Sequence, residues 1–243
     1  GEIADGAVWG RGSIDDKGSL VTLFEGIEAL AQQGFKPTRT VIVVSSHDEE
    51  VRGTGARAAA ALLASRGVKA RFVLDEGLAI ISDNPITGGP AALIGIAEKG
   101  YATLKVTAKA PGGHSSAPPR DGGGVVALSK ALVAINASQF PMKLQGPGLA
   151  MLQGLAPKGS PAIRMAVANT WLFEPLIVSQ TAATSAGAAL LHTTIAPTML
   201  KGSPKENVLP QDATGWINYR IAPGDSSATV MARAKAAVGN LPV

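Results

Sequence analysis

The chain has 243 residues, 46% of them hydrophobic and 16% charged, too apolar for a disordered chain and long enough for one large domain or two modest ones. Its net charge of +4 comes from scattered Lys and Arg without a basic run, and aromatics are only 4%, so the footprint of a nucleic-acid partner is missing; small acidic substrates fit a mild positive excess equally well. Without cysteine there is neither a disulfide framework nor a Cys-ligated zinc. No apolar run reaches the ~18–20 residues of a membrane span. Gly1–Val8 lacks the layout of a signal peptide, and the expectation is that the natural N-terminus lies upstream, so the compartment is unassigned.

Lys17–Gln33 reads as a helix, with Leu20, Leu23, Phe24, Ile27, Leu30 and Ala31 at i, i+3, i+4, i+7 spacing and Gly34 as its stop. Thr40–Ser46 is a β-branched run of strand length. Thr54–Ser65 is an Ala- and Leu-rich helix ended by Gly67, and Ala70–Asp75 reads as a second strand. Helix alternating with buried strand predicts an α/β domain with a mostly parallel sheet, whose sites form at the carboxyl ends of its strands. From Lys99 the pattern changes. Tyr101–Lys109 alternates as a half-buried strand, about Gly122–Asn136 is an apolar helix, Ala213–Ile221 a strand and Ser226–Val238 a helix. This is a small α+β sandwich with a Pro-punctuated, partly helical insertion at about 137–200. The domain boundary is placed near Glu98–Gly100, giving domains 1–98 and 99–243.

Three acidic clusters stand at the expected strand-end loops: Asp15-Asp16 in WGRGSIDDKG, Asp48-Glu49-Glu50 after the first strand, and Asp75-Glu76 after the second. Adjacent carboxylates repel unless a cation sits between them, and carboxylates with histidine suit zinc or a similar divalent ion. Each cluster also has an ordinary reading taken alone. Asp15 could cap a helix, Glu49-Glu50 could be solvated loop charge, and Asp75-Glu76 a turn. Three consecutive loops on one side of one sheet weigh against coincidence. GRGSIDDKG lacks the spacing of a phosphate loop, and Gly10-x-Gly12 lacks the third glycine of a dinucleotide fingerprint.

These segments resemble the zinc metallopeptidase family of aminoacylase, glutamate carboxypeptidase and succinyl-diaminopimelate desuccinylase. GEIADGAVWGRGSIDDKG resembles the region after its first metal ligands, SSHDEEVRGTGA its catalytic acidic pair, and FVLDEG its next ligand segment. EKGYATLKVTAKAPGGHSSAP resembles the entry to its lid domain, and KENVLPQDATGWINYRIAPGD the lid's later strand. TTIAPTMLKGSPKENVLP and the insertion look most like the Gly-X carboxypeptidase and N-acyl-amino-acid hydrolase branch. The resemblance implies a partial zinc-peptidase domain followed by a ferredoxin-like α+β lid that serves dimerisation, two zinc ions per subunit, and a homodimer through the lid. It implies Asp15 as the carboxylate bridging the zinc ions, Glu49 as general base, and Glu50 and Glu76 as ligands of one zinc each. His114 becomes the lid histidine that reaches a neighbouring subunit's site, while Asn207 and Arg220 hold the substrate's carboxylate or carbonyl. The substrate would be an N-acyl amino acid or short peptide, cleaved beside a free carboxylate.

The resemblance also implies a His-x-Asp pair upstream of Asp15 and a late ligand histidine beyond the lid. The three histidines of this chain, His47, His114 and His192, match neither. His47 and His192 read as structural, and Trp171 with Phe173 as core rather than as an acyl pocket. The rival readings are another exopeptidase or deacylase of the same family, and a catalytically silent binding module whose lid only mediates dimerisation.

Overall fold

The Asp5-Gly6 dipeptide bends the chain at its first opportunity. Both residues take positive φ, 53° and 72°, the geometry of a tight hairpin turn between β1 (Glu2–Ala4) and β2 (Ala7–Trp9). The computed structural model describes all residues Gly1–Val243, divided into two units, Gly1–Gly77 and Leu78–Val243.

In the first unit, helices α1 (Lys17–Gln32) and α2 (Thr54–Ser65) fall where the periodicity puts them. Both end the same way. Gly34 and Gly67 turn left-handed at φ 75° and 69°, and the amides of Phe35 and Val68 return to the carbonyls of Leu30 and Leu63. The last carbonyls of each helix are thereby satisfied.

The parallel sheet expected here is not formed, and this corrects the reading of Thr40–Ser46 and Ala70–Asp75 as paired strands. Both segments run without ladder partners, and every sheet pairing in the molecule is antiparallel. The physical reason lies in pairing. A β-branched run states a preference for a pleated, covered environment, but neighbouring strands and helices on both faces must supply that environment. Here Val41 to Val44 and Phe72 to Leu74 stay exposed, and neither α1 nor α2 buries a side chain.

The second unit opens on a hairpin of β3 (Ile80–Asn84) and β4 (Gly89–Ala92). The buried Asn84 side chain closes its turn by accepting from the Ile86 and Thr87 amides. Strand β5 (Gly100–Lys109) leads through the short β6 (Gly113–His114) into α3 (Gly123–Ala137). Then α4 (Gly146–Leu155), α5 (Pro161–Ala168), α6 (Thr170–Thr181) and α7 (Ser185–Leu191) pack around Leu144, Leu152, Ala156, Val167 and Leu191. Strands β7 (Thr194–Lys201), β8 (Val208–Leu209) and β9 (Asp212–Ile221) and helix α8 (Ser227–Val238) complete it. The main sheet has the order β5-β9-β7, fully antiparallel.

Alternation explains how this sheet is covered. Ala213, Ile217, Tyr219 and Ile221 of β9 and Val106 and Ala108 of β5 join Leu128, Leu132 and Ile135 of α3 and Val230 and Ala234 of α8 in one core. Fully buried side chains such as Ile217 contribute about 1.5–3 kcal/mol each. Ser226 and Thr229 bond reciprocally to start α8. The α+β sandwich read from the sequence is thus present as three strands with α3 and α8 packed on them. Strand β7 was not foreseen. It carries Pro197, and a register shift lies between Pro197 and Met199, as an edge strand tolerates. The reading of Trp171 as core is corrected as well. It is 81% exposed, whereas Phe173 is half-buried. The two are neighbours on one helix turn, and residues two apart on a helix do not share a face. No helix is long and apolar enough to cross a membrane.

Candidate metal centre

Asp15 and Asp16 sit at the end of a glycine-rich loop folded on itself. The Ser13 amide and hydroxyl both donate to the Gly10 carbonyl, and the Lys17 amide donates to Gly12 at 2.8 Å. The Lys17 ammonium closes the loop onto the Arg11 carbonyl at 2.9 Å. Asp16 occupies the N-cap of α1, yet its side chain makes no capping bond. Helix capping therefore does not account for this acidic pair. The Asp15–Asp16 peptide bond is cis.

The second cluster splits into one buried acid and two exposed ones. Asp48 is buried, and its carboxylate accepts from the Thr54 hydroxyl, the Thr54 amide at 2.8 Å and the Gly55 amide at 3.0 Å. The Thr54 hydroxyl first, then the Gly55 amide, hold its pKa down to about 2 against the opposing effect of burial. Glu49 and Glu50 lie in the turn that follows, open to solvent. Sequence reasoning counted Asp48 among the acids but gave it no role. The available signal was Gly53-Thr54-Gly55 at the start of an Ala-rich helix, where backbone amides need an acceptor.

Glu76 reports on part of the group. The residue is exposed, yet local desolvation raises its pKa, and so do the negative charges of Asp75, Asp15, Asp16 and Glu49. The first unit thus brings Asp15 and Glu49 each within electrostatic reach of Glu76. Glu50 is not among the charges acting on Glu76, and no three acidic or histidine side chains are close enough to hold one ion together. His47 is exposed, so the structural role expected for it is not one of packing. Oxygen donors of this kind suit a divalent cation, because neighbouring carboxylates gain from a positive charge between them.

In the second unit, His114 and Asn207 are brought together. His114 pairs with Val208 in the β6–β8 ladder, and the Ser115 amide donates to the Asn207 carbonyl at 3.0 Å. The His114 Nδ1 shares a hydrogen bond with the Ser116 hydroxyl at 2.8 Å. Arg220 is placed elsewhere. It pairs with Tyr101 at the far end of the β5–β9 ladder, where its guanidinium lies 4.9 Å from the Tyr101 ring centre. Eight residues of strand separate Arg220 from Asp212, the end near β8. At ~3.3 Å per residue that is roughly 26 Å, so one small ligand does not span Asn207 and Arg220 in this arrangement. His192 is buried, as a structural histidine should be. Burial and the nearby Lys99 charge lower its pKa, the Lys99 ammonium donates to its carbonyl at 2.6 Å, and its Nδ1 has no partner. A cleft of about 510 Å³ lies against α4 and α5 with Gln153, Arg164 and Thr170 in its walls, and contains no acidic or histidine side chain.

Comparison with known proteins agrees with the motifs. The sequence profile of Peptidase family M20/M25/M40 matches residues 1–186. The N-fatty-acyl-amino acid synthase/hydrolase PM20D1.1 of Danio rerio is 38% identical over 240 residues, covering 97% of this chain and 46% of that protein. PM20D1 of Homo sapiens is 37% identical, covering 93% of this chain and 45% of that protein. Carboxypeptidase S of Saccharomyces cerevisiae (strain ATCC 204508 / S288c) is 32% identical, covering 93% and 41%. The chain therefore spans a little under half the length of these relatives. Their names fall in the carboxypeptidase and N-acyl-amino-acid hydrolase branch that the motifs resemble, and the mixed α/β structure is consistent with that assignment. The chain belongs to Peptidase family M20/M25/M40, whose members are generally metal-dependent.

Proposed function

We propose that the full-length protein is a hydrolase that cleaves an amide or peptide bond beside a free carboxylate, with an N-acyl amino acid or short peptide as substrate. The observation that carries this reading is the placement of Asp15, Glu49 and Glu76 on segments within the family match, with Asp75, Asp15, Asp16 and Glu49 all adding negative charge at Glu76. It marks a pool of negative charge on the segments that match the family's metal and base motifs. In this reading two zinc ions per subunit would be held by Asp15, Glu50 and Glu76. Bound zinc would polarise the scissile carbonyl and lower the pKa of water.

The chain's own residues supply the rest. Glu49, exposed on its turn, accepts a proton from the attacking water and returns it to the leaving nitrogen. His114, fixed through Ser116, offers its other ring nitrogen to the developing oxyanion. Asn207 beside it donates to the substrate carbonyl; Arg220, at the far end of β9, would grip a carboxylate with its planar fork only on a substrate held by another subunit. Residues 1–98 form the catalytic domain and 99–243 the lid, through which two subunits pair.

The test is turnover of N-acyl amino acids by the full-length protein, before and after chelation and with zinc restored. Turnover that ignores chelation removes the metal from the account. The rival silent module is favoured by one observation, that no three ligands stand within reach of a single ion. It predicts no turnover in the same assay.

A further inference from the structure

Six hydrogen bonds converge on Asp48. Its carbonyl accepts from the amides of Val51, Arg52 and Gly53, and its carboxylate from the Thr54 amide, the Thr54 hydroxyl and the Gly55 amide. The first three close the turn that contains Glu49 and Glu50. The last three tie that turn to the first residues of α2. Glu49 and Glu50 are thus held on a loop pinned at both ends, although neither is buried. The packing allows little slack. A Cβ on Gly55 would lie 2.6 Å from the Ser46 Cβ and 3.1 Å from Asp48 Oδ1, so the helix start and the end of the 40–46 segment meet around this carboxylate. With three donors already engaged and the side chain buried, Asp48 is not free to ligate an ion with the same oxygens.

We infer that Asp48, with Thr54 as its partner, is a positioning residue that sets where the Glu49 and Glu50 carboxylates stand relative to the metal centre. This inference rests on the proposed hydrolase reading. It assigns Asp48 no contact with substrate or metal. Groups that orient metal ligands from behind typically matter 10–100-fold in metal affinity or activity.

The test uses the full-length protein and three variants. Asp48→Asn keeps the shape but turns an NH₂ toward donors, Thr54→Val removes only the hydroxyl, and Thr54→Ser retains it. Zinc affinity is read by competition with a chromophoric chelator, and kcat and KM with an N-fatty-acyl amino acid. Asp48→Asn should lose roughly 10–100-fold in zinc affinity or in kcat, with KM nearly unchanged. Thr54→Val should follow in the same direction to a smaller extent, and Thr54→Ser should match the wild type. A purely structural role would lower the melting temperature of Asp48→Asn and leave the zinc affinity and kcat of its folded fraction intact, which overturns the inference. Should Asp48→Asn fail to fold, Thr54→Val decides by the same criterion. Wild-type protein that neither binds zinc nor turns over substrate defeats the hydrolase reading itself, and the assignment of Asp48 falls with it. Wild-type activity with unaffected variants defeats the assignment alone.

Discussion

Asp48 and Glu76 are both carboxylates beside other acids, yet their proton affinities move in opposite directions. Asp48 has donors aimed at its charge. Glu76, although exposed, has local desolvation and four like charges, so it holds its proton more tightly. The sign for Asp48 follows from linkage. Its folded pKa of about 2 lies below the ordinary 3.8, so its bonds stabilise the protein fully above 3.8 and are lost as pH falls through about 2. Hydrogen exchange at the Thr54 and Gly55 amides should show this. Wild type should be better protected than Asp48→Asn at about pH 5, with the difference fading toward pH 2. A difference that persists unchanged at the acid end would contradict the assignment. At the next two residues the expected outcomes diverge. In the full-length protein Glu49→Gln should lower kcat by roughly 10²–10⁴-fold and leave zinc content intact, since Gln accepts no proton. Glu50→Gln should instead weaken zinc retention. Zinc loss in the Glu49 variant with retention in the Glu50 variant would exchange the two roles.

At the scale of elements, legibility in the sequence followed the range of the forces involved. Helices α1, α2, α3 and α8 and strands β5 and β9 lie within a residue or so of their expected limits, because periodicity and the glycine stops are local signals. The Asp5-Gly6 hairpin was equally local, and the signal was on the page; its strands are only three residues long. Strand β7 was hidden by Pro197, which is a poor omen for a central strand and acceptable at an edge. For Thr40–Ser46 and Ala70–Asp75 the residues stated a preference that no neighbour meets, and pairing is not written in the segment that needs it. Of the acidic clusters, Asp75, Asp15, Asp16 and Glu49 add their charge at Glu76, whereas Glu50 does not and no three acids stand close enough to hold one ion. The distance between Asn207 and Arg220 follows instead from the length of β9, which sets Arg220 eight residues along the strand from Asp212. The junction around Gly55 gives a stability prediction. Gly55→Ala should destabilise by about 1–3 kcal/mol in thermal or denaturant unfolding, since its Cβ would sit 2.6 Å from the Ser46 Cβ. Unchanged stability would mean that α2 and the 40–46 segment are not held as closely as described.

Over the whole molecule, the two units differ in what they bury. Leu78–Val243 has a continuous core between β5, β9, α3 and α8, whereas Gly1–Gly77 leaves Phe24, Val41, Val43, Phe72 and Val73 exposed. The candidate ligands are in the less buried unit, and within residues 1–243 they are oxygen donors only: Asp15, Glu50 and Glu76. Zinc sites favour nitrogen and sulfur ligands, so residues 1–243 on their own should retain zinc weakly and show no amidase activity even with zinc supplied. Robust zinc-dependent turnover by these residues alone would show that the ligands are misassigned. The central claim, that the full-length protein is a metal-dependent hydrolase of N-acyl amino acids or short peptides, is tested most directly by turnover through a cycle of chelation and zinc restoration. The account predicts hydrolysis that disappears with the metal and returns with it. Hydrolysis that survives complete removal of metal would contradict it.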